Sequence, residues 1–211
     1  MKRISMFAII AISIIASSNA QEFKLGARAG VNLSSIGGDD TGGVGGLTAF
    51  HAGLVMEIQY SDKFSFQPEI LYSGQGYTNE FSKTTTGITR SLNETVTLDY
   101  VSVPLLAKYF FAKGFSVEAG PQLAYLISAK REFVETVSGG FNASESGSED
   151  YKDSTKSFDY GAALGFSYQI GSGTIMSARY YLGLANIVDI EASDLKRQNN
   201  VIQISVGFML D

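Results

Sequence analysis

The spacing between strand-like segments constrains this chain most. Eight segments alternate apolar with polar residues and are rich in aromatic and β-branched side chains: Phe23–Leu33, Leu47–Tyr60, Phe64–Tyr77, Thr95–Phe111, Phe115–Val134, Ser157–Ile170, Thr174–Val188 and Asn200–Leu210. The connections Ser61-Asp62-Lys63, Ala112-Lys113-Gly114 and Gly171-Ser172-Gly173 are tight turns. The other four, Ser34–Gly46, Thr78–Glu94, Glu135–Lys156 and Asp189–Asn199, are long and polar. Short and long connections alternate throughout. In an up-and-down sheet this places every long loop at one end, and every short turn with both termini at the other. Outer-membrane barrels have that asymmetry, with short periplasmic turns and long extracellular loops. Most segments also exceed the ~9–11 residues a membrane strand needs, whereas soluble strands average ~5–6. The expected fold is an all-β, eight-stranded antiparallel up-and-down transmembrane β-barrel.

The two faces of the segments agree with a lipid-facing exterior. In the sixth, Phe158, Tyr160, Ala162, Leu164, Phe166, Tyr168 and Ile170 share one parity, against Asp159, Gly161, Ala163, Gly165, Ser167 and Gln169. The third, fifth and last segments divide the same way. The apolar side is large and aromatic, and the polar side is mostly Gly, Ser and Gln, small enough for a crowded lumen. Tyr60, Phe64, Phe111, Phe115 and Tyr168 cluster beside the short turns, as an interfacial girdle would.

Lys2 and Arg3, the apolar run Met6–Ala16, and the small residues Ser18 and Ala20 form a secretory signal peptide over residues 1–20, with cleavage before Gln21. Removing those 20 of 211 residues leaves a barrel domain of 191, residues 21–211, and takes the net charge from −5 to −7. With 25 aromatics (14 Phe and 11 Tyr) the chain is not disordered. Its acidic balance excludes a nucleic-acid footprint. Zero Cys excludes disulfides, thiolate metal sites and a lipid-modified N-terminal cysteine, and a single His excludes a multi-histidine metal centre.

Six ionisable residues lie on the polar parity inside segments: Arg28, Glu57, Glu69, Lys108, Glu118 and Arg179. Counted from the short-turn ends they fall at similar depth, three cations and three anions. Buried charges are tolerated when paired and hydrogen-bonded, so these six are the candidate lumen charge network. Pro68, Pro104 and Pro121 sit mid-segment, and Glu69 and Lys108 keep the inward parity only if no bulge forms at the prolines before them.

The prolines also carry a family likeness. The runs Gln67-Pro68-Glu69-Ile70-Leu71-Tyr72 with Gly74-Gln75-Gly76, Tyr100–Tyr109 around Pro104, Gly120-Pro121-Gln122, Gly26–Asn32, and Arg179-Tyr180 through Asn186-Ile187 together resemble the PorT-type outer-membrane β-barrel family of Gram-negative bacteria. The resemblance implies a cell outer-membrane location and a barrel of about eight strands. The founding member is associated with a protein-secretion system, and no catalytic residues come with the family. The chain departs from many barrels in ending Phe208-Met209-Leu210-Asp211, without a terminal aromatic residue.

No catalytic, cofactor or metal set is expected. His51 lies on the lumen parity with nothing converging on it. The run Gly42-Gly43-Val44-Gly45-Gly46 precedes a strand and lacks the lysine of a phosphate loop. Neither Asp189, Glu191 and Asp194 nor Glu145, Glu149, Asp150 and Asp153 has the spacing of a calcium loop. The expected function is a non-enzymatic outer-membrane barrel with a side-chain-filled lumen, structural or adhesive or a partner in a surface or secretion assembly. The alternative is a narrow channel or small-ligand-binding barrel. The expected partners are outer-membrane lipid and a protein met through the long extracellular loops, not nucleic acid.

Overall fold

Among the described residues the chain forms nine antiparallel strands: β1 (Glu22–Gly38), β2 (Val44–Ser61), β3 (Phe64–Thr85), β4 (Ile88–Ala112), β5 (Phe115–Ser138), β6 (Ala143–Asp150), β7 (Phe158–Ile170), β8 (Thr174–Gly183) and β9 (Arg197–Leu210). The computed structural model describes residues 22–140, 142–171, 173–190 and 194–210, so the expected signal peptide lies outside the described residues. Strands β1–β5 and β7–β9 each pair with the next in sequence, β5 pairs with β7, and β1 pairs with β9, closing a ring. The ring has eight members, because β6 lies outside it: β5 pairs with β7 through Phe115–Tyr125 and with β6 through Lys130–Val137.

The register fixes the size of the barrel. Paired residues run Phe23, Ile58, Phe66, Ala107, Ala119, Leu164, Tyr180, Ile202 and back to β1 at Leu33, a displacement of ten residues. Eight strands about 4.8 Å apart with that stagger tilt by about 40° and enclose a radius of about 8 Å, which side chains can fill. At this tilt the 13 residues of β7 rise roughly 30 Å, the thickness of a hydrocarbon core.

The outward positions form an apolar belt. Leu54, Ile70, Leu164, Phe166, Val206 and Leu210 are each more than half exposed. From the short turns up to Asp99 on β4, no outward position on any of the eight strands carries a charge. So large an apolar surface is untenable in water and is what a lipid-facing surface requires. Aromatic pairs bound it: Phe64–Tyr109 and Phe115–Tyr168 near the short turns, Phe50–Tyr72 and Phe158–Tyr160 at the other end.

Three sequence expectations need correction. The connection expected at Thr78–Glu94 is a ladder between β3 and β4, closed by Thr86 and Gly87, both at positive φ as a tight hairpin turn requires. Its polar residues hide it from an apolar/polar pattern, yet they pair across the strands, as Ser82 with Ser91 and Thr84 with Thr89. The connection expected at Glu135–Lys156 contains the end of β5 and all of β6. β8, in turn, stops at Gly183, before the expected Val188. The Asn186 side chain turns the backbone there, its amide donating to Leu195 O and its oxygen accepting from Val188 N and Arg197 N.

The prolines do not shift the parity. Each opens one ladder for two pairs: Pro68 against β2, Pro104 against β3 and Pro121 against β4. The ladder then resumes in unchanged register. A missing N–H removes a hydrogen bond without adding a residue, so no side chain changes face. Register shifts occur instead at Gly46/His51, Gln59/Ser61, Asp99/Tyr100 and Phe110/Ala112.

Candidate functional site

The lumen is layered. Nearest the short turns, the strands bring Arg28, Glu57, Glu69, Lys108, Glu118 and Arg179 inward, and all six are buried. Glu69 is the hub. Its carboxylate accepts from Arg28 Nη1 at 2.7 Å, from Arg179 Nη1 and Nη2 at 3.0 and 2.8 Å, and from Gln67 Nε2 at 2.5 Å. Arg179 Nε donates to Glu118 Oε1 at 2.9 Å. Lys108 Nζ donates to Glu57 Oε2 and to Gln67 Oε1, both at 2.9 Å. Gln67 thus joins the Lys108–Glu57 pair to the four charges around Glu69. Arg28 also donates to Ser177 Oγ. Glu118 Oε2 is buried without a partner.

Above this layer sits His51. Its Nδ1 is 2.7 Å from Asn32 Oδ1 and its Nε2 is 2.7 Å from Ser205 Oγ. An amide oxygen only accepts, so Nδ1 carries the proton and Ser205 donates to Nε2. These are the bonds of a hydroxyl nucleophile, its base and an orienting group. Access is missing: Asn32, His51 and Ser205 are 0%, 1% and 3% exposed. Asn32 is also bound by Gln203 and bonds onward to Ser73 and Gly74 O. The arrangement holds β1, β2, β3 and β9 together and presents no surface to a substrate.

The next layer holds Asp159, Tyr100 and Asn199, whose Nδ2 donates to Asp159 Oδ2 at 2.9 Å and to Tyr100 Oη at 3.1 Å. Asp159 is a fully buried ionisable group outside the expected six. Its inward parity on β7 was the available signal, but no cation stands at its depth to draw attention to it. The far end is apolar, with Ile36, Tyr77, Val96, Leu98, Leu126 and Ile187 packed together.

Beyond the barrel, β3, β4, β5 and β6 continue as a projecting sheet. Arg131 links it by pairing with Glu94 and, at 2.6 Å, with Glu149. Asp150 accepts the backbone N–H of Lys152. Glu149 and Asp150 are therefore tied to a local cation and to backbone. No group of three or more His, Asp or Glu suited to a metal occurs among the described residues.

A closed eight-stranded barrel with a charge-free apolar exterior and a polar, filled interior is an integral barrel of the bacterial outer-membrane kind. The family model described as an outer membrane protein beta-barrel domain matches residues 16–189, and the chain belongs to that family. The protein is accordingly an outer-membrane protein, with its short turns periplasmic and its projecting sheet outside. Among solved structures it is similar to Ail, the attachment invasion locus protein of Yersinia pestis, at 13% identity over 90% of this chain and 99% of that chain, TM-score 0.46. It is similar to Neisserial surface protein A at 12% identity over 91% and 99%, TM-score 0.40. OprG from Pseudomonas aeruginosa is 13% identical over 90% and 97%, TM-score 0.41. A search of curated proteins finds no match.

Proposed function

We propose that this chain is a non-enzymatic barrel with a closed lumen, and that it works through the sheet it holds above the outer membrane. Residues 1–20 are its cleaved signal peptide and residues 21–211 its barrel domain. The observation that carries the reading is the length of β4. Its 25 residues span roughly 80 Å at ~3.3 Å each, of which a membrane crossing uses only ~9–11 residues. A lumen stopped by ion pairs and then by an apolar layer supports a role outside the pore. That role is structural, adhesive or as a partner in a surface or secretion assembly, and the PorT-type resemblance supports the last.

The test removes the sheet and keeps the barrel. Residues 80–93 are replaced by a short Asn-Gly turn. The shortened protein should remain heat-modifiable on gels and lose adhesion or co-purification with its envelope partner. A shortened protein that still migrates heat-modifiably and keeps both adhesion and co-purification contradicts the reading. A narrow channel is the second reading. Buried polar atoms without partners, at Ser102 Oγ, Glu118 Oε2 and both Gln122 side-chain atoms, favour it, since such atoms hold water in a lumen.

A further inference from the structure

At the outer end of the barrel two connections close over the apolar layer and leave a cavity of about 230 Å³. Tyr77, Val96, Leu98 and Arg197 line it from the strands, and Tyr151 and Ile187 from the connections. The walls are pinned by backbone hydrogen bonds: Lys156 N to Ile187 O at 2.8 Å, Asp189 N to Ser154 O at 3.0 Å, and Ile187 N to Arg197 O at 2.9 Å. The cavity is therefore built, not a gap between loose loops.

Its one cation is under-used. Arg197 Nε is buried and has no hydrogen-bond partner. Nη1 reaches Tyr77 Oη and Nη2 reaches Asp40 O, both only at 3.4 Å. The guanidinium lies 5.7 Å from the centre of the Tyr77 ring. No carboxylate stands within ion-pair distance of it among the described residues. Every buried cation of the lower layer has a carboxylate; half-buried Arg197 borders an apolar cavity instead. A buried donor left unmade costs free energy, and a guanidinium fork is shaped for the two oxygens of a carboxylate.

We infer that this cavity binds a small monocarboxylate with a compact apolar body, its carboxylate on Arg197 and its body against Val96, Leu98 and Ile187. The volume lies below the roughly 300–1,000 Å³ of pockets for drug-sized ligands, which limits the body to about one ring or a short branched chain. The site lies above the ion-pair layer and does not depend on whether the lumen conducts.

The test uses the full mature chain folded in detergent and titrated calorimetrically with benzoate as the probe. Saturable binding is expected, with a Kd in the millimolar range or tighter. Benzamide, which has the same body without the charge, should bind about tenfold more weakly or worse, and Arg197→Gln should weaken benzoate by a similar factor. Ile190→Trp, which fills the exposed rim, should abolish binding, and heat-modifiable migration confirms that each variant is folded. No saturable binding to the wild type overturns the proposal. Equal binding of benzoate by wild type and Arg197→Gln also overturns it, since apolar partition alone would explain that.

Discussion

Arg179→Ala removes the guanidinium on which the lower layer turns. The Arg179 side chain is 0% exposed and makes three hydrogen bonds, one to Glu118 and two to Glu69. The two carboxylates are not equally dependent on it. Glu69 keeps Arg28 and Gln67. Glu118 keeps nothing, since Arg179 is its only ion-pair partner among the described residues and its second oxygen is already unpartnered. Stranding one buried charge in this way typically costs ~3–5 kcal/mol, and water entering the space left by the side chain reduces the loss toward the lower figure. Urea unfolding from micelles, followed by tyrosine fluorescence, measures it. Ala162→Gly on the lipid-facing side serves as the control. Removing the stranded group as well, in Arg179→Ala with Glu118→Ala, should recover part of the loss, with a coupling of about 0.5–3 kcal/mol. Glu57→Ala, whose partner is Lys108 and which reaches Arg179 only through Gln67 and Glu69, should couple to Arg179→Ala more weakly than Glu118→Ala does. Wild-type stability in Arg179→Ala, or equal coupling to both glutamates, would refute the layered ion-pair account.

Other consequences follow from the same structure. The protein should fractionate with the outer membrane, migrate heat-modifiably, and give Gln21 as its first residue on N-terminal sequencing; an uncleaved Met1 would contradict the signal-peptide reading. Gly30→Val should prevent assembly or cost well over ~1–3 kcal/mol, because a Cβ there meets Ile204 O at 2.0 Å and His51 Cε1 at 2.8 Å. Gly42→Ala, with nothing within 4 Å, should be silent in the same gel-shift assay. Ser205 should stay unlabelled by a fluorophosphonate probe despite its bond to His51, and labelling would show a route to the lumen that its 3% exposure denies.

Parity was the most legible property of the sequence. It separates Leu164 and Phe166 from Gly165 and Ser167 without any knowledge of partners, because alternate side chains of a strand must face opposite ways. The same rule turned all six charges inward. Their pairing was not legible: Arg28 and Glu69 are 41 residues apart, Arg179 and Glu69 are 110 apart, and only the ten-residue stagger decides which of them meet. The prolines left a bulge open as an alternative because a missing donor looks like one in sequence, whereas here the ladder loses bonds and keeps count. The hairpin at Ser82–Ser91 was hidden for a different reason: both its faces meet water, so no apolar alternation marks it. The Arg197 cavity depends on Asn186 turning the chain back, a long-range consequence that no local pattern carries.

Planar-bilayer conductance of the purified, refolded barrel tests the central claim most directly. A lumen about 8 Å in radius, crossed by Arg28, Glu69, Arg179 and Glu118 and capped by Leu98 and Leu126, should insert and give no unitary conductance steps. Arg179→Ala, which opens the ion-pair layer but leaves the apolar layer in place, should remain silent too. Reproducible ohmic steps from the wild type would contradict the closed lumen and put the hydrated-channel reading in its place.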